Sequence, residues 1–369
     1  MIWSILTFLL VLSILVIVHE LGHFMVAKWN GIWVEEFGFG LPPRVFGKKI
    51  GETIYSINAL PFGGFVRLHG EMNDDGLLKK NRAFLNKSLW VKTAVITAGV
   101  IMNFLLAVVA FGIIYSHFGI PKEKGYVQIV NIVPDSAAAN TEVVVGQKIY
   151  SIDGKEVTKR DEVTAISNKG GKHILLVGAT DAGEKDKKKI TIDTRFNEKD
   201  GKWYMGLVLT STEMYFPPVW KTPFYGAYYG IQESLVWVKN VWGGLTGIAK
   251  DAGQGVISKD LSGPVGIFAI IDQIVRTGDI WALINLIGII SVNLAILNII
   301  PFPALDGGRL LFIIIEAIFG KKVAPKFEAV IHSIGMAILL LAILAITIKD
   351  IRGLISAGSI SGFLDNMIK

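Results

Sequence analysis

Cysteine is absent from this chain of 369 residues. That absence excludes disulfides, a thiolate nucleophile and any sulfur ligand for a metal. A metal site must then be built from His, Asp, Glu and water. Histidine is scarce, at six residues, so each one is informative. Charge is thin as well: Asp, Glu, Lys and Arg make up 18% of the chain against 51% hydrophobic residues, and mean hydropathy is +0.50. The net charge of +6 is not gathered into a stripe with interleaved aromatics, which argues against a nucleic-acid partner. The one dense basic run, Lys185–Lys189, reads as a solvated hairpin tip. A diffuse basic excess suits a chain beside the anionic lipid of a bilayer.

What is abundant is long uncharged sequence. Four runs stand out: Ile2–Val18, apolar onward to Ala27; Thr93–Ser116; Ile280–Leu305; and Ala329–Ile348, interrupted by His332. Each is near or above the ~20 residues that cross ~30 Å of hydrocarbon. The first run lacks a basic leader and a small-residue cleavage site, so it reads as a retained span and not a signal peptide. Lys28, Arg44, Lys48 and Lys49 follow the first run, and Arg309, Lys321, Lys322 and Lys326 follow the third. Positive charge marks cytoplasmic loops, so the segment from about 118 to 279 and both termini are expected outside. Lys349 and Arg352 pull weakly the other way. Spans one and three then both run inward, and features at their inner ends share one membrane depth.

Residues 19–23 read His-Glu-Leu-Gly-His. On a helix, positions i and i+4 share a face, so His19 and His23 can hold one metal ion together. Glu20 then lies within reach of a metal-activated water as general base. A third protein ligand would leave the fourth position open. The candidates are His69, His117, His173, His332, Glu316 and Asp306. The topology puts His117 and His173 outside. Asp306 stands at the inner end of span three, beyond Pro301 and Pro303, which cannot continue a helix, and before Gly307 and Gly308. Irregular backbone at membrane depth belongs in a protein interior or beside a wet cavity.

These residues resemble a known family. HELGH in the first span, with Asn298-x-x-Pro301-x-Pro303-x-Leu305-Asp306-Gly307-Gly308 in a late one, resembles the site-2 protease family of intramembrane zinc metalloproteases. The likeness is strongest to the bacterial branch that trims anti-sigma factors and remnant signal peptides. Leu60–Leu68 resembles that family's membrane-associated β-hairpin, Ala98–Ala107 its second-span motif with Val100 where proline is usual, and Leu261–Gly266 the segment before its third span. The resemblance implies one Zn²⁺ per chain, held by His19, His23 and Asp306, with Glu20 as catalytic base. It also implies that Asn298 and Asn293 hold the substrate backbone. Gly63 and Gly64 of the hairpin could offer a strand edge to an unwound substrate. The partners implied are transmembrane proteins or peptides in the bilayer of a bacterial cell membrane, cut near the cytoplasmic leaflet.

Between Gly125 and about Thr212, β-branched runs alternate with turns: Tyr126–Val133, Lys148–Ile152 and Ile174–Val177, with Asp153-Gly154 as a hairpin signal. The order resembles one PDZ domain, which could capture an extracytoplasmic peptide by strand addition. From 219 to 276, Trp and Tyr recur among Lys and Gly, as in helices lying at the outer membrane interface. The expected fold is a polytopic α-helical membrane protein of about four transmembrane helices. It divides into spans one and two at 1–118 with the hairpin at about 32–72, a PDZ-like α+β domain at 119–215, an amphipathic interfacial segment at 216–279, and spans three and four at 280–369. Two other readings exist. A membrane-anchored zincin acting on soluble or periplasmic peptides would place its motif in a water-exposed domain. A transporter or scaffold would show paired repeats or further intramembrane charges.

Overall fold

The structure is a computed structural model that describes residues 1–71, 79–179, 183, 186–198, 201–253, 263–320 and 324–368. It divides into two compact units, Met1–Tyr115 with Pro223–Lys369, and Ser116–Thr222.

The first unit is helical. Helix α1 covers Ile2–Trp29 and α2 covers Leu89–Phe118. After the second unit come α4 (Thr222–Gly253), α5 (Pro264–Thr277), α6 (Ile280–Ile299), α7 (Asp306–Phe319), α8 (Pro325–Ala357) and α9 (Ile360–Ile368). Among the described residues, α1, α2, α6 and the Phe327–Ala357 part of α8 are long and apolar enough to cross a membrane. These are the four expected spans, each extended or trimmed at its ends. Helix α2 is unbroken through Val100.

The third run is broken where its prolines stand, as their sequence positions imply. The uncharged run to Leu305 is not one helix. Helix α6 stops at Ile299, and a tight loop follows in which Phe302 N–H bonds to Ile300 O at 2.7 Å. The chain then restarts as α7 with Asp306 as its first residue. Hydropathy cannot see this break; the missing amide hydrogens of Pro301 and Pro303 cause it.

Helices α1 and α2 cross closely. A Cβ added to Gly22 would stand 2.4 Å from Ala98 O. Their packing continues into a core of Ala27, Ile32, Val34, Leu68, Phe84, Val95, Ile96 and Ile313, which joins α1, α2, α7 and a β-hairpin. Val11 and Leu15 pack with Ile271 of α5 and Ile290 of α6. Helix α4 lays Trp237, Val238, Val241 and Leu245 on Ala107, Phe111, Val292 and Ile296 of α2 and α6. One face of this aromatic helix is thus a packing face, while its Tyr228 and Trp242 are exposed. Pro264, in the stretch whose Leu261 and Ser262 lie outside the described residues, opens α5 at its first turn.

The hairpin comprises β1 (Val34–Ile50) and β2 (Thr53–Leu68). Ile50 faces Thr53 across the turn. The start of β1 has partners in both halves of β2: Phe37 faces Val66 and Tyr55, and Phe39 faces Gly64 and Ile57. The stretch 64–68 pairs only with the start of β1 and forms an outer edge. Inside, the buried Glu36 carboxylate accepts from Ser56 Oγ at 2.6 Å and Arg44 Nε at 2.9 Å.

The second unit holds a sheet in the order β10-β3-β4-β6-β7, with β5 paired to β4. The strands are β3 (Ile120–Ile132), β4 (Lys148–Ile152), β5 (Lys155–Glu156), β6 (Lys172–Gly178), β7 (Lys188–Asp193) and β10 (Leu207–Tyr215). Helix α3 (Arg160–Ser167) and a small pair, β8 (Arg195–Asn197) with β9 (Lys202–Tyr204), complete it. Val127, Ile129, Ile149, Ile152, Leu175, Val177 and Ile192 form its core. The turn expected at Asp153-Gly154 is present, both residues having positive φ. Lys188 and Lys189 are strand residues of β7 and not a hairpin tip; Lys185 lies outside the described residues. The alternation of Ile190 and Ile192 toward the core draws those lysines into the strand.

Candidate metal centre

Helical spacing places His19 and His23 one turn apart on α1, and the loop after α6 brings Asp306 to them. His19 Nε2 lies 3.1 Å from Asp306 Oδ2, His23 Nε2 lies 3.3 Å from it, and the two Nε2 atoms are 3.1 Å apart. The side chains are only 12% exposed for the histidines and 18% for Asp306. These three alone among the described residues form a His/Asp/Glu group able to hold a metal ion.

The other ring nitrogens explain what the cluster is for. His23 Nδ1 stands 2.7 Å from Val95 O, a pure acceptor, so Nδ1 carries the proton and Nε2 presents a lone pair. His19 Nδ1 stands 3.3 Å from the side-chain amide of Asn103, which is fully buried. Asn103 Oδ1 has no partner among the described residues. Turning the amide over lets that oxygen accept from His19 Nδ1–H and satisfies both groups. Both Nε2 atoms are then acceptors, aimed with Asp306 Oδ2 at one point. Asp306 Oδ2 is itself buried without a hydrogen-bond donor among the described residues. Three buried acceptors in mutual contact need a proton or a metal cation between them. Ligand bonds of about 2.0–2.1 Å in a tetrahedron set donors roughly 3.3 Å apart. The observed separations match, so this donor set fits zinc.

The surrounding backbone makes room for the imidazoles. A Cβ at Gly99 of α2 would meet His23 Nε2 at 2.5 Å and His19 Cε1 at 2.6 Å. The loop carrying Asp306 is held from α8: Ala304 N–H donates to His332 Nδ1 at 2.9 Å. Ala304 adopts φ +84, a conformation that residues with a Cβ rarely take. A Cβ at Gly335 would stand 2.5 Å from Pro303 O, so α8 lies directly against the loop. A cavity of about 760 Å³ opens here, walled by Asp306, Arg309, Lys92, Glu316, Glu328 and His332 among others.

The remaining candidates are placed elsewhere. His69 pairs with Glu35 at 2.7 Å and lies against the Trp33 ring. His173 pairs with Asp153 at 2.7 Å in the second unit, and holds that carboxyl below the usual carboxylate range. His117 packs edge-on to Phe118. Glu316 pairs with Lys92 at 2.7 Å, and His332 supports the loop. Glu20 is half-buried and faces the hairpin: a Cβ at Gly64 would stand 3.6 Å from Glu20 Cγ. Gly63, with φ +79, has open space around it. Asn293 and Asn298 are half-buried on α6, with no side-chain hydrogen bond among the described residues. Sequence reasoning missed the Val95 carbonyl and the supporting role of His332. Asn103, a polar residue within an apolar span, did carry a signal.

The model of Peptidase family M50 matches residues 7–342. A Clostridium perfringens protein with a provisional zinc-metalloprotease name is 32% identical over 93% of this chain and 97% of its own length. The Bacillus subtilis regulator of sigma-W protease RasP is 29% identical over 95% and 99%. A crystallised PDZ domain of an SdrC-like protein from Listeria monocytogenes is 18% identical, covering 25% of this chain and 94% of that one, with a TM-score of 0.21. With a family match spanning most of its length and its three metal-competent side chains converging in one place, this chain belongs to Peptidase family M50, the site-2 proteases.

Proposed function

We propose that the chain is an intramembrane zinc metalloendopeptidase that cuts peptide bonds in or near single-span transmembrane segments, such as those of anti-sigma factors and remnant signal peptides. The observation that carries this reading is the convergence of His19 and His23, on a helix long and apolar enough to cross a membrane, with Asp306, which follows the loop after a second such helix. The name of the sigma-W regulator among its relatives supports the anti-sigma substrate class.

His19 and His23 through Nε2, and Asp306 through Oδ2, would hold the ion. Zinc supplies Lewis acidity toward a carbonyl and makes a water easier to deprotonate. Glu20 takes the proton of the attacking water and hands it to the departing amine. Val95 O and Asn103 fix the histidine tautomers, which keeps Nε2 unprotonated. A helical substrate hides its carbonyls in i to i−4 bonds and must unwind before cleavage. The outer hairpin edge at 64–68, with Gly64 beside Glu20, could pair with the unwound segment. The uncommitted amides of Asn298 and Asn293 could replace its lost hydrogen bonds.

The distribution of Lys and Arg supports a metal centre near the cytoplasmic leaflet of a bacterial membrane and residues from about 118 to 279 outside. The second unit is read as PDZ-like. Its strand β10 ends the sheet, and a cavity of about 670 Å³ lies beside β10 and α3, with Val163, Thr164 and Leu207 on its wall. That arrangement supports capture of an extended peptide by strand addition.

The test is to offer a single-span peptide in detergent or bilayer, and separately its soluble flank. Cleavage confined to the single-span peptide is expected. Cleavage of the soluble flank alone would favour a membrane-anchored zincin.

A further inference from the structure

We propose that His332 binds substrate: its Nε2–H donates a hydrogen bond to a backbone carbonyl of a peptide held in the cavity whose wall includes Asp306. This rests on the reading of the chain as a peptidase, and adds a binding residue from α8.

The tautomer follows from one contact. Ala304 N–H can only donate, and it points at His332 Nδ1 from 2.9 Å. Nδ1 is therefore the acceptor, and the proton of the neutral ring is on Nε2. That N–H is buried, and no group among the described residues accepts it. Glu328 Oε1, the carboxylate oxygen paired with it, is 3.8 Å away, beyond hydrogen-bond reach. Buried donors in native proteins find a protein or water partner, and this one is assigned to a carbonyl that arrives with the peptide. Two contacts orient the ring: Nδ1 accepts from Ala304 N–H, and Phe312 packs against it with centroids 5.8 Å apart.

The place is equally specific. His332 shares the wall of the cavity with Asp306. The cations on that wall already have partners, Lys92 with Glu316 at 2.7 Å and Arg309 with Glu71. The hydroxyl of Ser333 is donated to Ala329 O at 2.8 Å. A fixed, neutral N–H suits a neutral acceptor, and an unwound peptide brings carbonyls stripped of their helical partners. The bond to Ala304 ties the donor to the loop that carries Asp306, so donor and metal ligand keep a fixed relation.

The experiment uses the full chain in detergent, with a fluorescent single-span peptide as probe. Binding is measured in the Glu20→Gln background, where cleavage does not interfere. His332→Asn keeps an oxygen near the Nδ1 position for Ala304 N–H but removes the Nε2 donor. We expect about tenfold weaker peptide binding, with zinc content and melting temperature unchanged. Unchanged binding would overturn the proposal. So would loss of zinc from a folded His332→Asn chain, which would reduce His332 to a support for the loop. If the Asn variant does not fold, His332→Gln decides, because its amide reaches the Nε2 position: binding near wild type supports the donor role, and a tenfold loss overturns it. A wild-type chain that binds but never cleaves the peptide would instead refute the peptidase reading, and this proposal with it.

Discussion

Replacing Gly99 by alanine puts helix propensity and metal binding in opposition. In an exposed or neutral helical site this change stabilises by about 1 kcal/mol. Here the new methyl would stand 2.5 Å from His23 Nε2 and 2.6 Å from His19 Cε1. Carbon and nitrogen prefer roughly 3.5–4 Å, so the overlap is about 1 Å against both rings. Neither ring can retreat while zinc is bound, because each is then fixed at both nitrogens: Nε2 by the ion, and Nδ1 by Val95 O for His23 and by Asn103 for His19. Overpacking of this kind costs about 1–3 kcal/mol. In the metal-free chain the rings can turn away and the strain is relieved. If the cost falls on the bound form alone, zinc affinity drops about 5- to 150-fold. Chelator competition followed by elemental analysis measures that drop, and thermal melting of the metal-free chain measures the helix. The expected pair is weakened zinc binding with an equal or higher metal-free melting temperature. Zinc affinity within twofold of wild type would refute the assigned packing of α2 against the histidines.

Other expectations follow from the same geometry. Asp306→Asn should lose zinc, and a full zinc complement by elemental analysis would remove Asp306 from the ligand set. Asn103→Ala leaves His19 Nδ1–H without its acceptor; zinc affinity should fall about 10- to 100-fold, read by chelator competition. Glu52 is held at about 2, below its ordinary 4.5, by hydrogen bonds from Arg82 and then Lys28. A depressed carboxylate contributes stability above its unfolded value and loses it as pH falls through the folded one. The melting-temperature gap between wild type and Glu52→Gln should therefore be full above about pH 5 and shrink steadily toward pH 2. A gap that does not change over that range would contradict the pairing.

The part of this site that the sequence made legible is the part governed by local periodicity. The spacing of His19 and His23 follows from 3.6 residues per turn, and uncharged length announced the spans. Asp306 was visible because Pro301 and Pro303 sit where a helix should continue. The restart at α7 was not, since hydropathy measures composition and not hydrogen bonding. His332 drew notice as a charge-capable residue in a span, yet its task depends on an amide 28 residues away. Val95 O lies 72 residues from His23 and belongs to the backbone, which leaves no mark in side-chain chemistry. The face of α4 shows the same limit. Its aromatics signal an interface, but which of them pack on α2 and α6 depends on where the helix docks.

The central claim is that Glu20 performs chemistry at a metal centre built from His19, His23 and Asp306. Its most direct test measures zinc content and cleavage of a model transmembrane peptide, in detergent, for wild type and Glu20→Gln side by side. One zinc per chain in both, with cleavage by wild type only, is the predicted result. Substantial residual cleavage by the zinc-loaded Glu20→Gln chain would contradict it.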